Sequence, residues 1–221
     1  MKKSLITLLA IGLAGTAAQA QAPTWSGFKA GISLGASNYT NTWTDTDYDW
    51  YGGSLSYSKR KLAPAIHVGW DTQSGSVVYG VELDHSFNSA KRDVIYDTPV
   101  GNSVSVYKNY ELKSVTTLRG RMGIATGNAL FYATAGLAKV KADHSWTEVG
   151  DPTDSWPTFS NDHTGFVYGF GVEHRLNQML SLRAEYQHVN VPETKSTNVN
   201  GYTREVGEEV STFAFGASFH F

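Results

Sequence analysis

The stretch "FAFGASFHF", Phe213 to Phe221, sets Phe213, Phe215, Phe219 and Phe221 on one edge and mostly small or polar residues on the other. Successive side chains of an extended chain point to opposite faces, so a period of two marks a strand whose faces meet different surroundings. One such strand is common. The fold is decided by how often the pattern repeats and by what fills the second edge.

Upstream the same split runs through almost the whole chain, and helical periodicity is absent. Phe28, Ala30, Ile32, Leu34 and Ala36 alternate with Lys29, Gly31, Ser33, Gly35 and Ser37. Alternation predicts eight strands, near 25–40, 62–71, 76–88, 110–124, 129–141, 163–176, 179–190 and 210–221. Apolar edges include Leu62, Ile66, Val68 and Trp70 in the second strand and Leu112, Leu118, Met122 and Ile124 in the fourth. Opposite edges hold His67, Glu82, Asp84, Arg119, Arg121, Glu173, Arg175, Arg183 and Glu185, interleaved with glycines.

A secreted β-sandwich would also alternate, but its strands usually run to about 5–6 residues. The segments here reach ten or more, the length of tilted transmembrane strands, about 9–11 residues. Only a closed barrel satisfies every backbone N–H and C=O of strands in lipid. Connections alternate as such a barrel requires. "TQSG" (Thr72–Gly75), "ATGN" (Ala125–Asn128) and the turn at Asn177–Gln178 are short, whereas 41–61, 89–109, 142–162 and 191–209 are long. Trp70, Tyr79, Phe131, Phe219 and Phe221 fall near the short-turn end, and Phe87, Tyr110, Phe166, Tyr186 and Phe213 near the long-loop end, as two interfacial aromatic belts would. The expected fold is all-β: an eight-stranded antiparallel transmembrane β-barrel with short periplasmic turns, four long extracellular loops and periplasmic termini.

"MKKSLITLLAIGLAGTAAQA" (Met1–Ala20) has two lysines, an apolar run and a small-x-small end, the pattern of a cleaved signal peptide. The expected domains are residues 1–20, removed on export, and a barrel over 21–221. Losing Lys2 and Lys3 takes the formal charge from −2 to −4. Scattered positive charge gives no nucleic-acid footprint, and the absence of cysteine removes disulfides and thiolate metal sites. Asp45, Asp47 and Asp49 invite a calcium loop, but Trp50 and Ser56 stand where an EF-hand needs Gly and Glu. No cofactor or metal is expected.

"WSGFKAGISLG" (Trp25–Gly35), "LRGRMGIATGNALFYATAGLA" (Leu118–Ala138) and "GFGVEHRLNQMLSLRAEYQHVN" (Gly169–Asn190) resemble the small outer-membrane β-barrel proteins. This is the porin-family set common in alphaproteobacteria and related to the OmpA-type membrane domain. The resemblance covers the strands of nearly the whole mature chain; the long loops match nothing in it. It implies a location in the outer membrane of a Gram-negative cell. It also implies that the last strand, ending in Phe221, is the signal read by the barrel-assembly machinery.

Inside such a barrel, Glu82 and Asp84 are expected to meet Arg119 and Arg121, and Glu173 and Arg175 to meet Arg183 and Glu185, on neighbouring strands. An eight-stranded barrel is just wide enough for side chains to fill it, so paired charges read as a plug. The inward glycines leave a narrow channel for small solutes or ions as the alternative. Enzymatic barrels carry His-x-Ser (lipid A deacylases) or Asp-x-His (omptin proteases), and neither pair occurs here, so no enzyme is expected. Expected partners are outer-membrane lipid and lipopolysaccharide, whose phosphates outward Lys139 and Lys141 could reach unless the fifth strand has already left the membrane there. A host or surface ligand on the loops is the further expectation. Trp43, Trp50, Trp146 and Trp156 are its recognition candidates, because aromatics carry much interface energy. The role is then structural, in envelope integrity, or recognition at the surface.

Overall fold

A computed structural model describes residues 24–45, 54–97, 105–149, 155–197 and 203–221, in which eight strands close into a barrel in chain order. The expected signal peptide and Trp50 lie outside the described residues. The strands are β1 (Gly27–Asp45), β2 (Ser54–Ser74), β3 (Val77–Asp97), β4 (Ser105–Thr126), β5 (Ala129–Val149), β6 (Ser155–Arg175), β7 (Leu180–Thr197) and β8 (Thr203–His220). All neighbours are antiparallel, and β8 returns to β1, where the Phe221 amide donates to the Phe28 carbonyl at 2.9 Å.

Local chemistry makes the short turns. Gly75 and Gly127 adopt φ of +62° and +57°, left-handed values that a Cβ resists, and they reverse the chain between β2 and β3 and between β4 and β5. Between β6 and β7 the Asn177 side-chain oxygen accepts from the amides of Met179 and Leu180, 2.8 Å each.

The alternation sorts as expected over the lower barrel. Ile32, Ile66, Val68, Leu83, Leu118, Met122 and Leu137 face outward, and His67, Glu82, Arg119, Arg121, Glu173 and Arg183 are buried in the lumen. Trp70, Tyr79, Phe131 and Phe219 are exposed around the turn end and Phe87, Phe166 and Phe213 around the other, so the apolar outer band carries an aromatic belt at each margin.

Above the upper belt the structure departs from expectation in three ways. First, most of what reads as long loop is strand. A 21-residue strand such as β3, rising about 3.4 Å per residue at a tilt of about 40°, spans roughly 55 Å, against an apolar band of about 25 Å. The barrel therefore projects well beyond the membrane, and Trp43, Trp146 and Trp156 sit in β1, β5 and β6 rather than in loops. Trp146 and Trp156 are register partners across β5 and β6.

Second, Leu112 is fully buried in the lumen, not on the outer face. The β4–β5 register skips Lys113 between Leu112 and Ser114, and such a bulge reverses the facing of every residue beyond it. The side chain of Tyr110, expected on the outer face, lies outside the described residues. Further irregularities fall at Phe87/Ala90, His144/Trp146 and Val191/Thr194.

Third, the cylinder is cut. Among the described residues β2 pairs with β3 only up to Ala65–Ser86, and β6 with β7 only up to Phe166–Asn190, while the other six ladders continue upward. The upper part is two four-stranded flaps, β7–β8–β1–β2 and β3–β4–β5–β6, separated by two seams. Pro64 stands next above Ala65. Because Phe28 bonds towards β8, Leu34, six residues on, does too; its partner Pro64 therefore turns its nitrogen towards β3, where it has no hydrogen to donate. Pro192 stands two residues above Asn190 at the other seam.

Candidate functional site

The lumen is filled in layers. At the turn end Trp25, 1% exposed, packs with Val78, Leu130 and Tyr132 and lies edge-on to His220, with ring centroids 6.0 Å apart. Arg175 closes over it, its guanidinium 5.0 Å from the Trp25 ring and donating to the carbonyls of Thr24 (2.8 Å) and Gln178 (2.5 Å).

An ionic layer follows. Glu82 accepts from Arg119 (2.6 Å) and from Arg183 at both oxygens (3.0 Å), with the Lys29 ammonium 2.9 Å away. Arg119 also donates to Glu185 (2.5 Å) and Gln187 (2.9 Å), and Arg183 to Glu185 (3.1 Å). Arg121 bonds Glu173 (2.5 Å) and Asp71 (3.3 Å) and lies 3.8 Å above the Tyr132 ring, whose hydroxyl donates to Glu185 (2.7 Å). Lys29 completes the ring 3.1 Å from Asp71. Lys29, Arg119, Arg121 and Arg183 thus match Asp71, Glu82, Glu173 and Glu185 in number, so each charge of the ring has a partner of opposite sign, as a low-dielectric interior demands. Inward glycines leave room for these groups. A Cβ on Gly171 would meet the Tyr132 ring at 2.6 Å, and one on Gly80 would meet Asp71 at 2.2 Å.

Above the charges lies a cavity of ≈ 20 Å³ lined by Ala63, Asp84, Ser86, Arg183, Gln187 and Thr212, among others. That is room for about one water. An apolar layer then closes the lumen: Tyr39, Leu112, Val115, Ala138, Val140, Val167, Val189, Val191 and Val210.

Of the eight charges expected to form the network, six do: Glu82, Arg119, Arg121, Glu173, Arg183 and Glu185. The expected pairing between neighbouring strands holds for Glu82 with Arg119 and, at 3.9 Å, with Arg121, but most bonds cross the lumen instead, as from β3 to β7 and from β4 to β6 and β7. Asp84 lines the cavity and Arg175 belongs to the Trp25 layer. Lys29, Asp71, Tyr132 and the apolar upper layer were not anticipated, although all but Leu112, which the bulge at Lys113 turns inward, stand on the inward parity of their strands.

Ser181, His220 and Glu173 form a grouping that resembles a nucleophile with its base. The Ser181 hydroxyl lies 2.8 Å from His220 Nε2 and donates to Glu173 Oε1 at 2.5 Å, and His220 Nε2 is 3.1 Å from that same oxygen. A relay needs the carboxylate on one ring nitrogen and the hydroxyl on the other. Here both share Nε2, in a buried setting, so the trio is structural.

The outer face above the upper belt is polar. Thr40, Thr42 and Thr44 meet Ser58, Ser56 and Ser54 at 2.9, 3.3 and 3.0 Å. Lys139 is exposed as expected but bonds Asp162 (2.7 Å), whose carboxyl is held below the usual range by that bond, and Lys113 pairs with Asp143.

Comparison with known families matches residues 6–221 to the outer membrane protein beta-barrel domain. The 31 kDa outer-membrane immunogenic protein of Brucella melitensis is 23% identical over 214 residues, covering 93% of this chain and 88% of that protein. The 22 kDa outer membrane protein of Rhizobium leguminosarum bv. viciae is 29% identical over 171 residues, 76% of this chain and 65% of its own. The crystal structure of OprG from Pseudomonas aeruginosa superposes with a TM-score of 0.50 at 14% identity, covering 90% of this chain and 99% of that one, a likeness of fold alone.

Proposed function

The chain belongs to the outer membrane protein beta-barrel family and resides in the outer membrane, and from that premise we propose that its barrel is a sealed anchor for extracellular hairpins serving envelope integrity or surface recognition. The observation that carries the reading is the stacked lumen: Trp25 and Arg175 at the turn end, the ionic ring in the middle, and the apolar layer around Leu112 and Val140 above it. An ion passing through would have to displace an aromatic cork, break charge-assisted bonds and cross an apolar constriction. No catalytic role is assigned, since the buried Ser181–His220–Glu173 trio has the wrong bonding for one.

Recognition is assigned to the projecting hairpins, with Trp43, Trp50, Trp146 and Trp156 as the first residues to replace. Assembly is assigned to the Phe221 strand. One observation favours the narrow-channel alternative: among the described residues Nε of Arg183 finds no acceptor, and Arg183 lines a cavity with room for water. Planar-bilayer recording with purified protein separates the two. A sealed barrel gives no unitary steps, and reproducible single-channel steps overturn it. Hairpin-truncated protein that keeps full binding to cells recognised by the intact protein removes the recognition role.

A further inference from the structure

The seam between β2 and β3 opens at the height of the upper belt. Leu62, exposed on the outer face, is in register with Ala36, which pairs with Phe213. The next residues upward are Lys61, Arg60 and Lys59, all exposed. In an intact barrel, consecutive side chains would alternate between lumen and exterior. On a free edge both faces reach water, so three successive cations are presented together.

Three exposed lysines on β4, β5 and β7 differ from them in one respect. Lys113, Lys139 and Lys195 each hold a carboxylate, of Asp143, Asp162 and Glu205, whereas among the described residues Lys59, Arg60 and Lys61 have no ion pair. The register that turns Pro64 towards the seam also turns the amides of Leu62 and Arg60 that way, beyond the last β2–β3 pair. Unpaired amides beside an arginine and two lysines make a donor set suited to phosphate oxygens. The position, immediately above the apolar band, is where the phosphates of the outer leaflet lie.

We propose that Lys59, Arg60 and Lys61, at the foot of the β2–β3 seam, form a binding site for the phosphate groups of lipopolysaccharide. The site replaces the contact expected of Lys139, which Asp162 already occupies. It does not depend on whether the lumen conducts, so bilayer recording and lipid binding fail separately.

The test titrates the purified full-length barrel with lipopolysaccharide and with the same lipid stripped of its phosphates by hydrofluoric acid. Dephosphorylation is expected to weaken binding about 100-fold, from roughly fivefold per basic residue at a membrane surface. The triple variant Lys59→Gln, Arg60→Gln, Lys61→Gln should bind both lipids with the affinity the unaltered protein has for the stripped one, and Lys139→Gln should match the unaltered protein. A triple variant that binds intact lipopolysaccharide normally overturns the site. So does equally tight binding of inorganic polyphosphate in solution, which would make it a receptor for soluble polyanions. Should the triple variant fail to fold, equal affinity of the unaltered protein for the two lipids overturns it.

Discussion

Below Pro64 and Pro192 the chain is a closed cylinder with oil outside and charge within; above them it is two flaps with hydroxyls outside and valines within. The same eight strands thus carry inverted patterns in their two halves. In the lower half the surroundings demand closure, because a backbone amide facing hydrocarbon has no partner except the next strand. In the upper half water satisfies an open edge, and prolines, bulges and seams become tolerable. The inner faces invert as well. Where lipid covers the exterior the lumen holds the polar groups, and where water covers it the lumen becomes an ordinary hydrophobic core.

This contrast can be broken from either side. The largest effect is expected in the lower half. Glu82→Ala leaves Lys29, Arg119 and Arg183 facing one another without their shared carboxylate, and removing one partner of a buried ion pair costs about 3–5 kcal/mol. Urea unfolding in lipid vesicles should show that loss, and a shift under about 1 kcal/mol would mean that the ring contributes little. Next comes Leu112→Ala in the upper core, where truncating a buried leucine costs about 2–5 kcal/mol. If the halves are separate units, amide exchange should quicken above Ser86 and stay slow below it. Smallest is Pro64→Ala, which restores one N–H towards β3 and should change stability by no more than about 1 kcal/mol. Slowed exchange next to residue 64 would show that proline alone holds the seam foot apart; unchanged exchange would place the cause in the β3 bulge at Phe87/Ala90.

What the sequence made legible follows the same division. Alternation is sharp where one face meets lipid, so strand number, the short turns and the outward residues of the lower barrel could be read directly. It fades where both faces meet water or a mixed core, and there residues 41–45 and 54–61 passed for loop although they are strand. Leu112 was misread because a single extra residue, Lys113, reverses facing without altering composition. Neighbouring charges such as Glu82 and Arg119 could be paired from strand order. Glu82 with Arg183 could not, because that bond depends on the width of the lumen and on side-chain length. Lys29 and Asp71 stood on inward edges all along, and counting inward charges by parity in every strand would have found them. Pro64 and Pro192 were the one visible sign of the seams, since a residue with no amide hydrogen is seldom found between two partners.

The two prolines have a mechanical consequence. Tension applied to the tip of β3–β4 or β5–β6 descends through the ladders of its own flap and meets the other flap through the apolar layer and the cylinder beneath, with no backbone ladder across the seams. A molecule gripping one side would pull on a stiff, membrane-held base instead of prying its neighbour loose, leaving the second side free to engage something else.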